Sequence, residues 1–274
     1  MLSKELLDQG RIYARKIISG LNASPSHFHA VNYCKQQLSQ NGFTELKETD
    51  KWTLEPSKGY YFSRNGSTIV AFLTGALCGS QPVSSYKIVG CHTDSPVLKI
   101  APFSKISASG YNQLNVMLYG GGLWRTWFDR DLNIAGKVII RSADGTKLES
   151  RYWNANRPLL KIPNLAIHLC REEQPMNKET ETKPIFASSV ADSLFSGGVE
   201  AISEDKFRID EKHFSTFTEL IAKDLGIVRD QIVDFELNIC DAQPAQLVGM
   251  HEEFVSSPRL DNLASSLCAL DALI

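Results

Sequence analysis

The chain has 274 residues, of which 43% are hydrophobic and 22% are charged. This is the composition of an ordinary globular protein, and it excludes a disordered chain. Lys and Arg number 29 and Asp and Glu number 31, for a formal net charge of −2. No basic excess therefore favours nucleic acid or an anionic membrane as a partner. At about 150 residues per domain, the length allows one large domain or two ordinary ones.

Neither a membrane span nor a secretory signal is predicted. The longest weakly polar stretch, residues 68–79, is shorter than the roughly 18–20 apolar residues that cross a bilayer. The amino terminus mixes charged residues among its apolar ones, unlike a signal peptide. The six cysteines include no CxxC pair, which argues against a disulfide framework, a zinc ribbon and a redox motif. We therefore expect the protein in the reducing cytoplasm.

Two helices are predicted at the start of the chain. Apolar residues follow a helical period over residues 4–20, and Gly20 is the expected stop. A second helical segment opens at Ser24-Pro25-Ser26 and ends at Asn41-Gly42, a pair that is typical of a helix carboxyl terminus.

Strand-type patterns begin at Tyr60. Two apolar runs joined by Asn65-Gly66 predict a β-hairpin over residues 60–73, because Asn-Gly favours a two-residue hairpin turn. The next run, Tyr86–Cys91, is continuous rather than alternating, as expected of a strand that is buried on both faces of a mixed sheet. These patterns indicate an α/β fold.

The sequence changes character between about residues 95 and 235. Short β-type runs are separated there by Gly and Asp turns such as Ala143-Asp144-Gly145, and they predict a separate β-rich domain. The runs are residues 113–119, 134–141, 147–153 and 233–239. The polar residues 171–184 are expected to form an exposed loop, and Phe214–Leu225 has helical spacing.

His92 is the first candidate for metal chemistry. It follows the apolar run at its carboxyl end, where open α/β sheets collect their ligands, and Asp94 completes a His-x-Asp motif. A carboxylate two residues away can hold the second ring nitrogen of a metal-bound imidazole. The alternative is a strand-end histidine that is hydrogen-bonded to a turn aspartate, and the tripeptide alone leaves both readings open.

Asp261 is the second candidate. Apolar residues follow it at helical spacing, namely Leu263, Leu267, Leu270 and Ile274. Asp261 is therefore expected at or just before a helix amino terminus, where free N–H groups and the helix dipole favour the ionised carboxylate that a metal bridge requires. A plain N-cap aspartate would show the same pattern. His92 and Asp261 are 169 positions apart, so only a folded domain with a large insertion could bring them together.

The remaining histidines have weaker signals. Three of them lack a partner motif and are expected to be structural or solvated: His27, His29 and His213. His168, taken alone, is also expected to be structural, whereas His251 lies in an acidic loop where a role stays open.

The glycine run at residues 120–122 matches no phosphate-binding pattern, and no GxSxG motif supports a serine hydrolase. Glycine there is expected to permit an unusual backbone turn.

Four segments together resemble signatures of the M18 metallopeptidase family, specifically its aspartyl aminopeptidases, and they occur in the family's order. They are Gly90–Pro96, Tyr119–Leu132, Ile162–Leu169 and Ser257–Leu263. The resemblance extends over essentially the whole chain. It implies an α/β, mixed-sheet zinc-peptidase domain that is interrupted by an inserted β-rich dimerisation domain.

This organisation places the first part of the peptidase domain in residues 1–94 and its second part in residues 241–274. The inserted domain then spans residues 95–240. The implied assembly is a homo-oligomer, a dodecamer built from dimers.

The resemblance also implies roles for the candidate residues. His92 would ligate one zinc, Asp94 would orient His92, and Asp261 would bridge two zinc ions. His168 would reach the active site of a neighbouring subunit and stabilise the oxyanion there. The implied reaction removes an amino-terminal Asp or Glu from a peptide, with a zinc-activated water as nucleophile and a glutamate as general base.

The chain departs from the family pattern in one respect. Family members continue well beyond a position like Ile274, and that continuation carries the other ligands, the general-base glutamate and the specificity pocket. Glu252-Glu253 precedes Asp261, whereas the family's acidic pair follows it. A catalytic zinc normally takes three protein ligands, so two candidates do not complete a two-zinc site.

We therefore expect a form of the enzyme that is truncated at its carboxyl terminus, with peptides that begin with an acidic residue as the substrates of the complete form. The alternative is a non-catalytic truncated product that oligomerises with the full-length enzyme. A third reading is a metal-free binding module.

Overall fold

The computed structural model describes residues 3–83, 85–169, 171, 175–195 and 209–274. The chain divides into two compact units. The first unit comprises Met1–Ser95 and Pro244–Ile274, and the second comprises Pro96–Gln243. The second unit is thus inserted in the sequence of the first.

The helices and strands follow one another in this order: α1 (Lys4–Asn22), α2 (His27–Gln40), β1 (Thr44–Glu45), β2 (Gly59–Arg64), β3 (Thr68–Leu73), β4 (Val97–Ala108), β5 (Tyr111–Tyr119), β6 (Leu132–Arg141), β7 (Leu148–Asn154), β8 (Ile185–Ser188), α3 (Ser189–Phe195), α4 (Ile209–Lys212), α5 (Ser215–Leu225), β9 (Ile232–Asp241), β10 (Gln246–Val248), β11 (Phe254–Ser256) and α6 (Leu260–Leu273). In the part of the chain that the structure describes, no helix is both long enough and apolar enough to span a membrane.

Both predicted amino-terminal helices are confirmed. Side-chain oxygens of Ser3 and Ser26 accept hydrogen bonds from the first turns of α1 and α2, which satisfies backbone donors that a helix start leaves unpaired. The prediction that Gly20 ends α1 is wrong, because the helix continues through it. A Cβ on Gly20 would come within 2.9 Å of the Leu267 side chain. Glycine is therefore suited to this position because it lets α1 and α6 approach closely.

The predicted hairpin in the first unit is also confirmed. Strands β2 and β3 are antiparallel and pair from Gly59 opposite Leu73 to Arg64 opposite Thr68. Asn65 and Gly66 both have positive φ, as a type I′ turn requires. Strand β1 pairs parallel with β2, so the three-stranded sheet β1-β2-β3 is mixed.

The predicted strand Tyr86–Cys91 is wrong. This segment lies outside the strands of the structure, and Ile88 and Val89 are 85% and 79% exposed. A continuously apolar strand needs neighbouring strands at its edges and packing on both faces. Among the residues that the structure describes, no strand pairs with this segment.

The second unit is built on a six-stranded sheet with the order β7-β6-β9-β4-β5-β8. The predicted β-type runs are confirmed as parts of β5, β6, β7 and β9, and all their pairings are antiparallel. Strand β4 was not predicted. Pro102 lies within it, and its register with β5 shifts between Ile100 and Lys105, so its apolar residues do not alternate regularly.

The core of the second unit lies between this sheet and α5, whose predicted helical character is confirmed. Phe217 of α5 is fully buried and makes edge-to-face contacts with Trp153, Phe186 and Phe235. Other fully buried residues come from the central strands, among them Leu98, Leu132, Ile134, Leu237 and Ile239.

Two loop predictions concern the same unit. Residues 171 and 175–184 are mostly exposed and lie in turns and irregular structure, while 172–174 lie outside the described residues. Gly120 has φ +83°, and a Cβ there would lie 3.2 Å from the Pro96 Cα. The expectation of an unusual glycine turn is confirmed at this position.

Candidate metal site

The His92 ring lies in the first unit and is oriented by Asp94. His92 Nδ1 is 3.0 Å from Asp94 Oδ1 and 3.1 Å from the Asp94 backbone oxygen. Both of these partners are acceptors, so the hydrogen-bond network assigns the proton of the neutral ring to Nδ1. The lone pair is then on Nε2, the nitrogen that is available to a metal.

Asp261 lies at the start of α6, as the sequence predicted. Its backbone (φ −81°, ψ 107°) and that of Asn262 are not yet helical, and Arg259 before them has a left-handed conformation. The Arg259 guanidinium donates a hydrogen bond of 3.2 Å to the Leu21 carbonyl oxygen near the end of α1. The buried residue Leu263 packs in a core cluster of the first unit. The start of α6 is therefore held on both sides of Asp261.

The structure brings the His92 loop and the start of α6 together. The Asn262 side-chain amide contacts His92 Nε2, and Ser266 Oγ donates a hydrogen bond of 2.6 Å to the His92 backbone oxygen. Two sequence segments that are far apart in the chain thus meet at His92, with one contact at Nε2 and the other at its backbone oxygen.

The comparisons with known proteins identify the family. The family model described as aminopeptidase I zinc metalloprotease (M18) matches residues 21–274. This chain belongs to the M18 family.

Two curated relatives of this M18 chain are aspartyl aminopeptidases. The protein from Aspergillus oryzae is 44% identical over 278 residues, which cover 95% of this chain and 55% of the relative. The protein from Dictyostelium discoideum is 39% identical over 275 residues, covering 95% of this chain and 56% of the relative. The M18 chain thus spans little more than half the length of these relatives.

Solved structures agree with the family assignment and with a mixed α/β fold. A structure described as the Ape4 and Nbr1 complex matches at a TM-score of 0.88 with 38% identity, covering 100% of this chain and 52% of that one. The structure of Chaetomium thermophilum mApe1 matches at a TM-score of 0.83 with 30% identity, covering 96% and 58%.

The donor chemistry at His92 and Asp261 fits the zinc of this family. An imidazole whose Nδ1 proton is held by a carboxylate is a typical zinc ligand, and a carboxylate at a helix start can be the second. Within the described ranges, no group of three or more His, Cys, Asp or Glu residues could hold a metal ion. These two residues are therefore candidate ligands of an incomplete set.

His168 of the M18 chain lies in the second unit, in an exposed turn. Its neighbours Leu165, Ile167 and Leu169 are 69%, 64% and 77% exposed. The structure thus presents His168 on an apolar surface segment and not in a packed core.

Two other histidines of the M18 chain are held by serine hydroxyls. His213 is fully buried, with Nδ1 2.8 Å from Ser104 Oγ, and burial lowers its pKa to about 4. His29 Nδ1 lies 2.8 Å from Ser26 Oγ, and burial, followed by the charges of His27 and Arg259, lowers its pKa to about 4. Both are therefore neutral at physiological pH.

Sequence reasoning missed Asn262 and Ser266 as partners of His92. Asn262 follows Asp261 directly, and Ser266 lies four residues further along the same helix. Their nearness to a candidate ligand was the sequence signal, but nothing in the local sequence links them to His92.

Proposed function

We propose that this M18 chain carries part of the active centre of a zinc aminopeptidase that removes amino-terminal Asp or Glu from peptides. The observation that carries the proposal is the meeting of the His92 loop with the start of α6, because it joins two candidate ligands that are 169 positions apart in the sequence. The acidic preference is supported by the two relatives, which are aspartyl aminopeptidases.

Each candidate residue has a distinct role in this proposal. His92 would hold one zinc through Nε2, and Asp94 would accept a hydrogen bond from Nδ1 and so orient the ring. Asp261 would be a carboxylate ligand shared by two zinc ions. The Asn262 amide now contacts Nε2, so it has to turn away when His92 takes up the metal. When bound there, zinc would supply an activated water and a Lewis acid for the peptide carbonyl.

The proposal requires further ligands. A catalytic zinc uses three protein ligands and leaves one position for water, whereas this chain offers His92 and Asp261. We assign neither the remaining ligands nor the general-base glutamate to a residue of this chain.

The proposal includes a homo-oligomer in the cytoplasm, a dodecamer built from dimers. The second unit would act as the dimerisation domain, and His168 would stabilise the oxyanion in a neighbouring subunit's site. Support for the oligomer comes from the exposed apolar residues around His168. Support for the compartment comes from the free thiols of Cys34, Cys78, Cys91 and Cys268. A Saccharomyces cerevisiae relative, 23% identical, is described as a dodecamer, but at that identity only the fold is shared with certainty.

A chimera tests the proposed activity. The 274-residue chain is fused to the part of the Aspergillus oryzae relative that it does not match, and hydrolysis of Asp-p-nitroanilide is compared with that of Leu-p-nitroanilide. We expect zinc-dependent cleavage of the Asp substrate, at least about 100-fold lower kcat/KM in His92→Ala, and no cleavage by the 274-residue chain alone. Equal activity of the chain alone and the chimera would contradict the incomplete ligand set.

A second candidate function is that of a non-catalytic chain that oligomerises with a complete M18 enzyme. It is favoured by the exposed apolar residues around His168, which offer a contact surface for another subunit. Co-expression with the Aspergillus oryzae enzyme followed by native mass spectrometry discriminates the two. Mixed oligomers are expected under this function, and their absence would rule it out.

A further inference from the structure

The exposed segment that carries His168 is anchored to the second unit at Asn164. The backbone N–H of Asn164 donates to Asp129 Oδ1 at 2.9 Å, and its side-chain Nδ2 donates to Asp129 Oδ2 at 2.9 Å. Within residues 165–169, the hydrogen bonds described are limited to one local turn, in which the Leu169 N–H donates to the Ala166 oxygen. Asn164 is thus the last anchored residue before the exposed apolar stretch.

Asp129 holds this segment through hydrogen bonds made by both its backbone and its side chain. Its own backbone N–H donates to the Ile162 carbonyl oxygen at 2.8 Å, so one residue makes three hydrogen bonds to the stretch Ile162–Asn164. Its φ of +61° is left-handed, a conformation that aspartate tolerates better than most residues. The hydrogen bonds from the Asn164 backbone and then its side chain lower the pKa of Asp129 below its ordinary value, which keeps the carboxylate ionised and accepting on both oxygens.

Asp129 is itself fixed by its neighbours. Phe128 and Trp124, just before it in the sequence, are buried in the core of the second unit. Arg130, just after it, lies 2.5 Å from Asp241 Oδ2 at the end of β9. The carboxylate therefore projects from a backbone that is held by core residues on one side and by an ion pair to the end of β9 on the other.

We propose that Asp129 is a positioning residue: it clamps Asn164 so that the stretch Leu165–Leu169, with His168, is presented in a fixed direction to a second copy of this chain. This inference rests on the proposed function, in which His168 acts in a neighbouring subunit. The exposed leucines and isoleucine supply the apolar contact surface, and the clamp removes conformational entropy that dimerisation would otherwise have to overcome.

A reciprocal exchange of the two side chains tests the clamp. In Asp129→Asn, the Asn164 side chain can turn so that its Oδ1 accepts from the new amide, and both hydrogen bonds lose their charged acceptor. In Asn164→Asp, two carboxylates face each other. In the double variant Asp129→Asn/Asn164→Asp, the backbone N–H at position 164 and the amide at position 129 both donate again, so both hydrogen bonds are restored.

The readouts are hydrogen exchange of peptides that cover residues 163–169 and the dimer dissociation constant from sedimentation equilibrium. At concentrations where the chain is monomeric, each single variant is expected to exchange about tenfold faster, because Asp129→Asn loses the charged acceptor and Asn164→Asp places two carboxylates together. The double variant should return to the wild-type rate, and amides of β6 should not change in any variant. The dimer dissociation constant should rise in each single variant and return to the wild-type value in the double variant.

Asp131→Asn is the matched control, because Asp131 lies in the same segment and pairs with Lys161 at 3.0 Å without contacting Asn164. Unchanged exchange in Asp129→Asn, or a double variant that does not recover, would overturn the clamp. If exchange follows the prediction but the wild-type chain does not self-associate, the proposed dimer is refuted and the anchoring by Asp129 stands.

Discussion

The two units of the chain treat their apolar residues differently. In the second unit, the central strands β6 and β9 pair with strands on both sides, and residues such as Ile134 and Ile239 are fully buried. In the first unit, the apolar run before His92 has no strand partner among the described residues, and Ile88 is 85% exposed. Hydrophobicity alone thus does not bury a strand, because burial also needs neighbours at its edges.

The largest expected effect is on the unfolding free energy, and it is seen when a buried and an exposed isoleucine are each replaced by alanine. Ile239→Ala in the second unit should cost about 2–5 kcal/mol of unfolding free energy, the usual range for a fully buried position. Ile88→Ala in the first unit should change it by no more than about 0.5 kcal/mol. Urea unfolding with circular dichroism measures both, and comparable losses would show that the run before His92 is packed.

The second prediction compares the pH responses of the two buried histidines. His213 is neutral in the folded state, with its pKa lowered to about 4, whereas the unfolded chain takes up a proton near its ordinary value of 6.5. The unfolding free energy is therefore unaffected by His213 titration above pH 6.5. It decreases as the pH falls from 6.5 towards 4, by at most about 3 kcal/mol. Below pH 4 both states are protonated and the loss ends.

His213→Gln should therefore reduce the loss of unfolding free energy between pH 7 and pH 4.5. His29→Gln in the first unit should do the same to a similar extent, since burial lowers the pKa of His29 to about 4 as well. Urea unfolding at the two pH values provides the measurement. A pH dependence of His213→Gln equal to that of the wild type would contradict the assignment.

The third prediction compares two glycines. A Cβ on Gly136 in β6 would lie 2.1 Å from the Glu236 carbonyl oxygen of β9, whereas no atom lies within 4 Å of one on Gly90. Gly136→Ala should cost about 1–3 kcal/mol, as overpacking usually does, and Gly90→Ala should stay within about 0.5 kcal/mol. Thermal unfolding of both variants tests this, and an equal effect would mean that β6 and β9 adjust freely.

Local patterns were sufficient for the elements that depend on near neighbours. Asn65-Gly66 predicted the hairpin because the turn type is set by those two residues, and the apolar period predicted α5. Local patterns failed for the elements whose structure depends on residues that are far away in the sequence. The register shift inside β4 hid its alternation, and the exposure of Ile88 depends on which strands are available to pair with it.

The candidate site divides in the same way. His92 and Asp94 could be selected as a pair because a single residue separates them, and a carboxylate two positions after a histidine can orient its ring. Asp261 could be placed at a helix start from the apolar spacing that follows it. The contacts of Asn262 and Ser266 with His92 could not be predicted from local sequence, since they join residues about 170 positions apart.

Zinc titration of the metal-free 274-residue chain by isothermal calorimetry tests the central claim most directly, that His92 and Asp261 are ligands of one metal site. We expect His92→Ala and Asp261→Asn each to weaken zinc binding at least about tenfold, and Asp94→Asn to weaken it about 10- to 100-fold through the orientation of His92. His251→Ala, an exposed histidine of the same unit, should bind zinc as the wild type does. Wild-type affinity in both His92→Ala and Asp261→Asn would contradict the claim.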